Sequence, residues 1–281
     1  MVDYGMHRAL DGLNLEIPSS GVFGLLGRNG AGKTTTIRAI AGLVKPAAGS
    51  ISVLGKAPEP ESDVRKRISV LFAEDGLVVN MTARENLEAW GAVNGLPGRR
   101  SRDLSTAALT RLGILQQGGR LVRDLSTGVR RIVVLARAFM LERELVLLDE
   151  PTSSLDPVKA GEARDMLRDL AADRPILLST HNLTEAEELC GSVAIIHLGR
   201  VVWNAAPGLS GPAGVYEVFV EGSALSWRGT AIEPDEKGMH LVDSGLGPAD
   251  TLAQLVSEGA RIREFRPRRR GLADVFRELA G

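Results

Sequence analysis

The chain has 281 residues and a formal net charge of −1, so its totals lack the basic excess of a nucleic-acid binder and no nucleic-acid partner is expected. One cysteine, Cys190, excludes an intrachain disulfide and reads as a structural thiol in a reducing compartment. Met1 to Tyr4 carries no secretory signal, and no stretch approaches about 18 uncharged apolar residues, so a cytoplasmic chain without its own membrane span is expected.

The first buried-strand signal is Val22 to Leu26, followed by Gly27-Arg28-Asn29-Gly30-Ala31-Gly32-Lys33-Thr34 and an apolar-periodic helix through Val44. This is G-x-x-x-x-G-K-T in a strand, loop, helix context. Glycines let successive backbone N–H groups wrap a polyphosphate, and the helix aims its positive end at the same oxygens. The loop residues Gly27, Arg28, Asn29, Gly30, Ala31 and Gly32, with Lys33, Thr34 and Thr35, are therefore expected to hold a nucleotide. Lys33 would reach the β and γ phosphates and Thr34 would hold Mg²⁺.

Further strands are expected at Ile51 to Leu54 and Ile68 to Phe72. From about residue 75 to residue 143 helix signals replace them and read as a helical insert: a capping box at Thr82-Ala83-Arg84-Glu85 opens a helix through Trp90, with further helices at Ser105 to Leu112 and Val129 to Leu141. Leu145 to Leu148 returns to a buried strand and ends in Asp149 and Glu150. Two acids closing a strand at the surface is the plain alternative, but beside a phosphate loop Asp149 would join a Mg²⁺ shell and Glu150 would polarise water toward a γ phosphate. Asp156-Pro157 caps a helix to about Leu170, and Ile176 to Thr180 is a strand ending at His181, placed to contact the same phosphate. Val193 to Leu198 is the last long core strand, closed by a hairpin at Leu198-Gly199-Arg200-Val201. The alternation predicts an α/β layer architecture with a largely parallel sheet.

The texture changes after residue 205. Ala206-Pro207-Gly208 and Gly211-Pro212-Ala213-Gly214 read as a linker, followed by strands at Val215 to Val220, Gly238 to Val242 and Arg261 to Phe265, and helices at Asp250 to Ser257 and Leu272 to Leu279. Residues 1–205 thus form one expected domain and 206–281 a small α+β accessory domain. The run Arg266-Pro267-Arg268-Arg269-Arg270 reads as a solvated loop.

The phosphate loop, Leu125-Ser126-Thr127-Gly128-Val129, Leu147-Leu148-Asp149-Glu150-Pro151-Thr152-Ser153, Ser154-Leu155-Asp156 and Ser179-Thr180-His181 occur in the order and spacing of ABC transporter ATP-binding subunits, and the resemblance runs from about Tyr4 to Ala205. It implies a P-loop ATPase core that hydrolyses ATP with Mg²⁺, with Glu150, His181 and Lys33 catalytic and Thr34 and Asp149 on the metal. Tyr4 takes the place of the aromatic residue that stacks on adenine. Ser126 and Gly128 take the signature-loop places, which complete the nucleotide site of a second ATP-binding chain.

The ending Leu272-Ala273-Asp274-Val275-Phe276-Arg277-Glu278-Leu279-Ala280-Gly281 resembles subunits serving ABC-2 type exporters, including the daunorubicin-resistance type. This implies efflux through separate permease subunits, with the chain peripheral on the cytoplasmic face of the membrane. Three departures stand out: Ala73 replaces the family's Q-loop glutamine, with Glu74 beside it as a substitute metal contact; Thr127 and Val129 alter the signature loop; and no strand is expected before Tyr4-Gly5. They leave open a weakly hydrolysing half of an asymmetric dimer, and a soluble ABC ATPase acting on DNA ends or ribosomes is the remaining alternative.

Overall fold

The computed structural model describes residues 1–74, 76–205, 215–222, 225–235, 238–268 and 272–280. One compact unit holds Met1–Ala205 together with Leu279–Gly281, and a second holds Ala206–Glu278.

The first unit opens with a hairpin, β1 (Val2–Tyr4) and β2 (His7–Leu10), turning at Gly5 with φ 60°. This corrects the expectation that no strand precedes Tyr4-Gly5. The core is a six-stranded sheet in the order β4-β5-β6-β3-β7-β8, formed by β3 (Val22–Leu26), β4 (Ile68–Leu71), β5 (Leu145–Asp149), β6 (Ile176–Thr180), β7 (Ser192–His197) and β8 (Arg200–Ala205). All neighbours pair in parallel except β7 and β8, joined by the expected hairpin at Leu198-Gly199. β3, β5 and β6 are buried along their whole length, because helices cover both faces of such a sheet. Each fully buried leucine among them, Leu25, Leu147 and Leu178 for example, contributes about 2 kcal/mol of transfer free energy.

Helix α1 (Lys33–Ile40) ends sooner than its apolar period suggests, because Gly42 turns left-handed at φ 68° where a Cβ would lie 1.8 Å from the carbonyl of Pro58. The expected strand at Ile51 to Leu54 is replaced by a single bridge, Val53 to Lys56, since Leu54 and Gly55 both take positive φ and fold the chain back. Helices α2 (Ala83–Val93), α3 (Gly98–Arg111) and α4 (Thr127–Met140) follow β4. The α2 capping box is complete: Thr82 Oγ1 accepts from the Glu85 amide and Glu85 Oε2 accepts from the Thr82 amide. Helix α5 (Pro157–Ala171) has Asp156 as its N-cap with Pro157 in the first turn, as read. Helix α6 (Leu183–Leu189) leads to Cys190, whose buried thiol is pushed up to about 12 by desolvation and by the Glu185 carboxylate. The cysteine is therefore protonated and inert.

In the second unit, β9 (Val215–Val220) is the centre of an antiparallel sheet between β12 (His240–Asp243) and β13 (Ile262–Pro267). Tyr216, Val218, Val220 and Val242 face a core shared with Leu225, Trp227 and Leu255. Helix α7 (Pro248–Ser257) and helix α8 (Leu272–Ala280) as far as Glu278 complete it. A short hairpin, β10 (Leu225–Trp227) and β11 (Thr230–Ile232), had no sequence signal. Arg266 and Pro267 lie in β13 rather than a loop. The expected linker from Ala206 to Gly214, with Arg269 and Arg270, lies outside the described residues.

Candidate active site

Sheet register assembles the site. β5, β6 and β3 are adjacent, Asp149 pairs with Ser179, and Leu26 pairs with Thr180. The carboxyl ends of three buried strands therefore stop at one level, and the next residues, Glu150, His181 and Gly27, emerge side by side. Ligand sites in open parallel sheets form at such ends, in the crevice just beyond the carboxyl termini of the strands.

The loop between β3 and α1 is shaped by what a side chain would strike. A Cβ on Gly27 would lie 2.6 Å from the carbonyl of Ile196, and Gly32, at φ 114°, would direct one to 2.8 Å from Leu10 and 3.0 Å from the carbonyl of Ala9. Gly32 is the N-cap of α1 and supplies no capping side chain, and no acid occupies the first turn. The first amides of α1, at Lys33, Thr34 and Thr35, thus keep their donors and positive dipole end for an outside anion. Arg28, Asn29 and Gly30 are exposed at the loop's tip, whereas Gly27 and Ala31 are buried. An Ala31 N–H to Arg28 carbonyl bond of 3.1 Å closes the turn.

Lys33 is 6% exposed; its ammonium donates to the Gly27 carbonyl at 2.7 Å and lies 3.3 Å from Glu150 Oε1. Thr34 Oγ1 donates to Asp149 Oδ2 at 2.8 Å, and Ser179 Oγ donates to Asp149 Oδ1 at 2.5 Å. Ser179 Oγ also accepts the Glu150 amide at 3.1 Å. Glu150 Oε2 meets His181 Nδ1 at 2.7 Å. Lys33, Thr34, Asp149, Glu150 and His181 therefore form one connected chain of polar contacts, with Ser179 as a link that the sequence showed inside a motif but without a role.

The arrangement offers a cation and helix amides for phosphate, a hydroxyl beside a carboxylate for a hard divalent cation, and a second carboxylate backed by an imidazole for orienting water. Thr34 and Asp149 present oxygen donors only. Among the described residues no three His, Cys, Asp or Glu side chains cluster as a metal cage. An oxygen pair of this kind fits Mg²⁺, which keeps waters and substrate phosphates in its shell.

The remaining sequence candidates lie outside this chain of contacts. Tyr4 is 45% exposed at the end of β1, in a hairpin whose second strand reaches the phosphate loop through Ala9 and Leu10. Glu74 is exposed one residue past Ala73. Ser126 is the N-cap of α4, its Oγ accepting from the Val129 amide at 3.3 Å, and Gly128 lies in the first turn near Leu155 and Lys159. Among the described residues no hydrogen bond or ion pair joins Tyr4, Glu74, Ser126 or Gly128 to the cluster. Thr127 is exposed and helical without a positive φ, so the backbone cost that a β-branched residue pays in left-handed geometry does not arise.

Arg131 belongs to none of the sequence motifs. It is 4% exposed on α4, and its guanidinium donates to main-chain carbonyls of Phe72, Ala73, Asp149, Glu150 and Pro151. The available signal was its spacing, four residues before Leu135 and seven before Ala138, which puts a charge on the buried face of an amphipathic helix.

The ABC transporter family profile matches residues 10–153. The chain belongs to this family. It is 34% identical over 287 residues to the Nod factor export ATP-binding protein I of Cupriavidus metallidurans, covering 99% of this chain and 94% of that relative. It is 35% identical over 297 residues to a daunorubicin resistance ATP-binding protein of Streptomyces coeruleorubidus, covering 99% and 92%. A solved ATP-binding subunit of an ABC transporter superposes with a TM-score of 0.65 at 29% identity, over 72% of this chain and 85% of that one. The chain is thus a P-loop ATPase of the ABC type that binds and hydrolyses ATP.

Proposed function

We propose that this chain powers export: it is the ATP-hydrolysing subunit of an ABC-2 type efflux complex whose membrane passage is formed by separate permease subunits. The names of the two full-length relatives, one acting in Nod factor export and one in daunorubicin resistance, support export as the direction. Among the described residues no helix is long and apolar enough to cross a membrane. On this reading the chain sits on the cytoplasmic face, and the partly exposed side of α2 from Thr82 to Trp90 is a docking surface for the permease.

The observation that carries the catalytic part is the unbroken contact chain from Thr34 through Asp149, Ser179 and Glu150 to His181. Lys33 and the α1 amides bind the phosphates, with the loop from Gly27 to Gly32 and Thr35 around them. Thr34 and Asp149 hold Mg²⁺, which would offset charge on the β and γ phosphates; Glu74 would reach it only if its loop moved. Glu150 orients water toward the γ phosphate and His181 fixes the Glu150 carboxylate while contacting that phosphate. Tyr4 stacks on the base.

Ser126 and Gly128 are held by α4 in an exposed turn outside their own chain's cluster. That placement supports their acting on the nucleotide of a second ATP-binding chain. Residues 206–281 form an accessory domain in this scheme, assisting dimerisation or regulation. A tagged chain expressed in its native membrane background and extracted with detergent should copurify with an integral-membrane protein. Elution of the chain alone, with full ATPase activity, would contradict the assignment.

A further inference from the structure

The Arg131 side chain bridges two main-chain segments, Phe72-Ala73 and Asp149-Glu150-Pro151. Its Nε donates to the Pro151 carbonyl at 2.9 Å; Nη2 donates to Asp149 at 2.9 Å and to Glu150 at 2.8 Å; Nη1 donates to Phe72 at 2.9 Å and to Ala73 at 3.0 Å. A guanidinium carries five N–H donors in one rigid plane, and here they meet five carbonyl oxygens on two separate chain segments. Glu150, the middle of three consecutive acceptors, has φ 50°, a left-handed conformation that a non-glycine residue disfavours. In that bend the carbonyls of Asp149, Glu150 and Pro151 turn toward the cation while the Glu150 side chain turns toward Lys33 and His181.

We propose that Arg131 is a positioning residue for ATP turnover, fixing the direction of the Glu150 carboxylate and coupling it to α4 and to the chain at Ala73. The inference rests on the reading of Glu150 as the group that orients water. Arg131 stabilises the backbone conformation that Glu150 opposes by itself. Because it projects from the helix that presents Ser126 and Gly128, a shift of α4 shifts the carbonyl cluster and with it the carboxylate. The Ala73 position has no side chain able to make such a link, and the guanidinium makes it through the main chain instead.

The test uses Arg131→Lys, which keeps the charge and loses the planar fork, beside Arg131→Gln, Glu150→Gln and the double variant Arg131→Lys with Glu150→Gln, all in the full chain. Arg131→Lys should lower kcat by about tenfold or more, while a fluorescent ATP analogue binds with its dissociation constant changed less than about twofold. A residue that only supports packing would move affinity and turnover together. In the double variant the Arg131 substitution should add almost nothing to the loss from Glu150→Gln, because both act through one carboxylate.

Wild-type kcat in Arg131→Lys, with Glu150→Gln inactive, overturns this proposal alone. Wild-type kcat in Glu150→Gln overturns the reading beneath it. Should neither Arg131 variant fold, ¹⁵N NMR of the wild type decides: the Arg131 Nε–H should resist solvent exchange and shift in Glu150→Gln, whereas exchange as fast as that of exposed arginines overturns the proposal.

Discussion

The two larger sheets among the described residues, one of six strands and one of three, treat polar residues in opposite ways. In the parallel sheet, β3, β5 and β6 are buried on both faces, so polar groups appear where the strands stop: Asp149 and Ser179 inside the last turn of the ladder, Glu150, His181 and the phosphate loop just beyond it. In the antiparallel sheet only one face meets a core, and the other spreads its charges along the strands as exposed pairs. Arg266 meets Glu217 at 2.8 Å and Arg263 meets Glu221 at 3.5 Å, all partly or largely open to solvent. A sheet buried on both sides concentrates chemistry into short strings. A half-buried sheet dilutes it, and exposed pairs of this kind contribute little to stability.

That contrast can be broken at two points. Lys33→Ala removes the buried ammonium from the phosphate loop and should weaken ATP binding about 10- to 100-fold, read by equilibrium titration. Unchanged affinity would mean the strand-end cluster is not where the phosphates sit. Leu255→Ala, deep in the core beneath the antiparallel sheet, should cost about 2 to 5 kcal/mol of that unit's stability. Its ATP affinity should stay within about twofold of wild type, since no residue of the cluster is near it in sequence or shares its core. A large loss of affinity would show that the second unit shapes the nucleotide site.

The same contrast explains what was legible in the sequence. Phosphate loop, paired acids and strand-end histidine each lie in contiguous strings, and the sheet order brings them together without changing their local form. Ser179 was visible in its string, but its bridge from Asp149 to the Glu150 amide depends on register between strands. Arg131 was hidden among the neighbouring basic residues Arg130 and Arg137 of one helix, because a sequence does not show which arginine points inward. The errors in the fold fall where close backbone approach overrides apolar pattern: Gly42 against Pro58 ends α1 early, and the turn at Leu54 and Gly55 abolishes a strand. The hairpin of β10 and β11 has strands of three residues each, too short for alternation to register.

In the proposed scheme the strand-end cluster both binds ATP and turns it over, with Glu150 needed for the second step alone. Single-turnover hydrolysis measured beside ATP binding in Glu150→Gln separates the two steps. Glutamine keeps the size of the side chain and removes the charge that orients water. ATP should bind at wild-type affinity or tighter, since Lys33 loses a competing carboxylate at 3.3 Å, while hydrolysis slows by about 10²-fold or more. Hydrolysis at the wild-type rate would mean that Glu150 does not orient the attacking water.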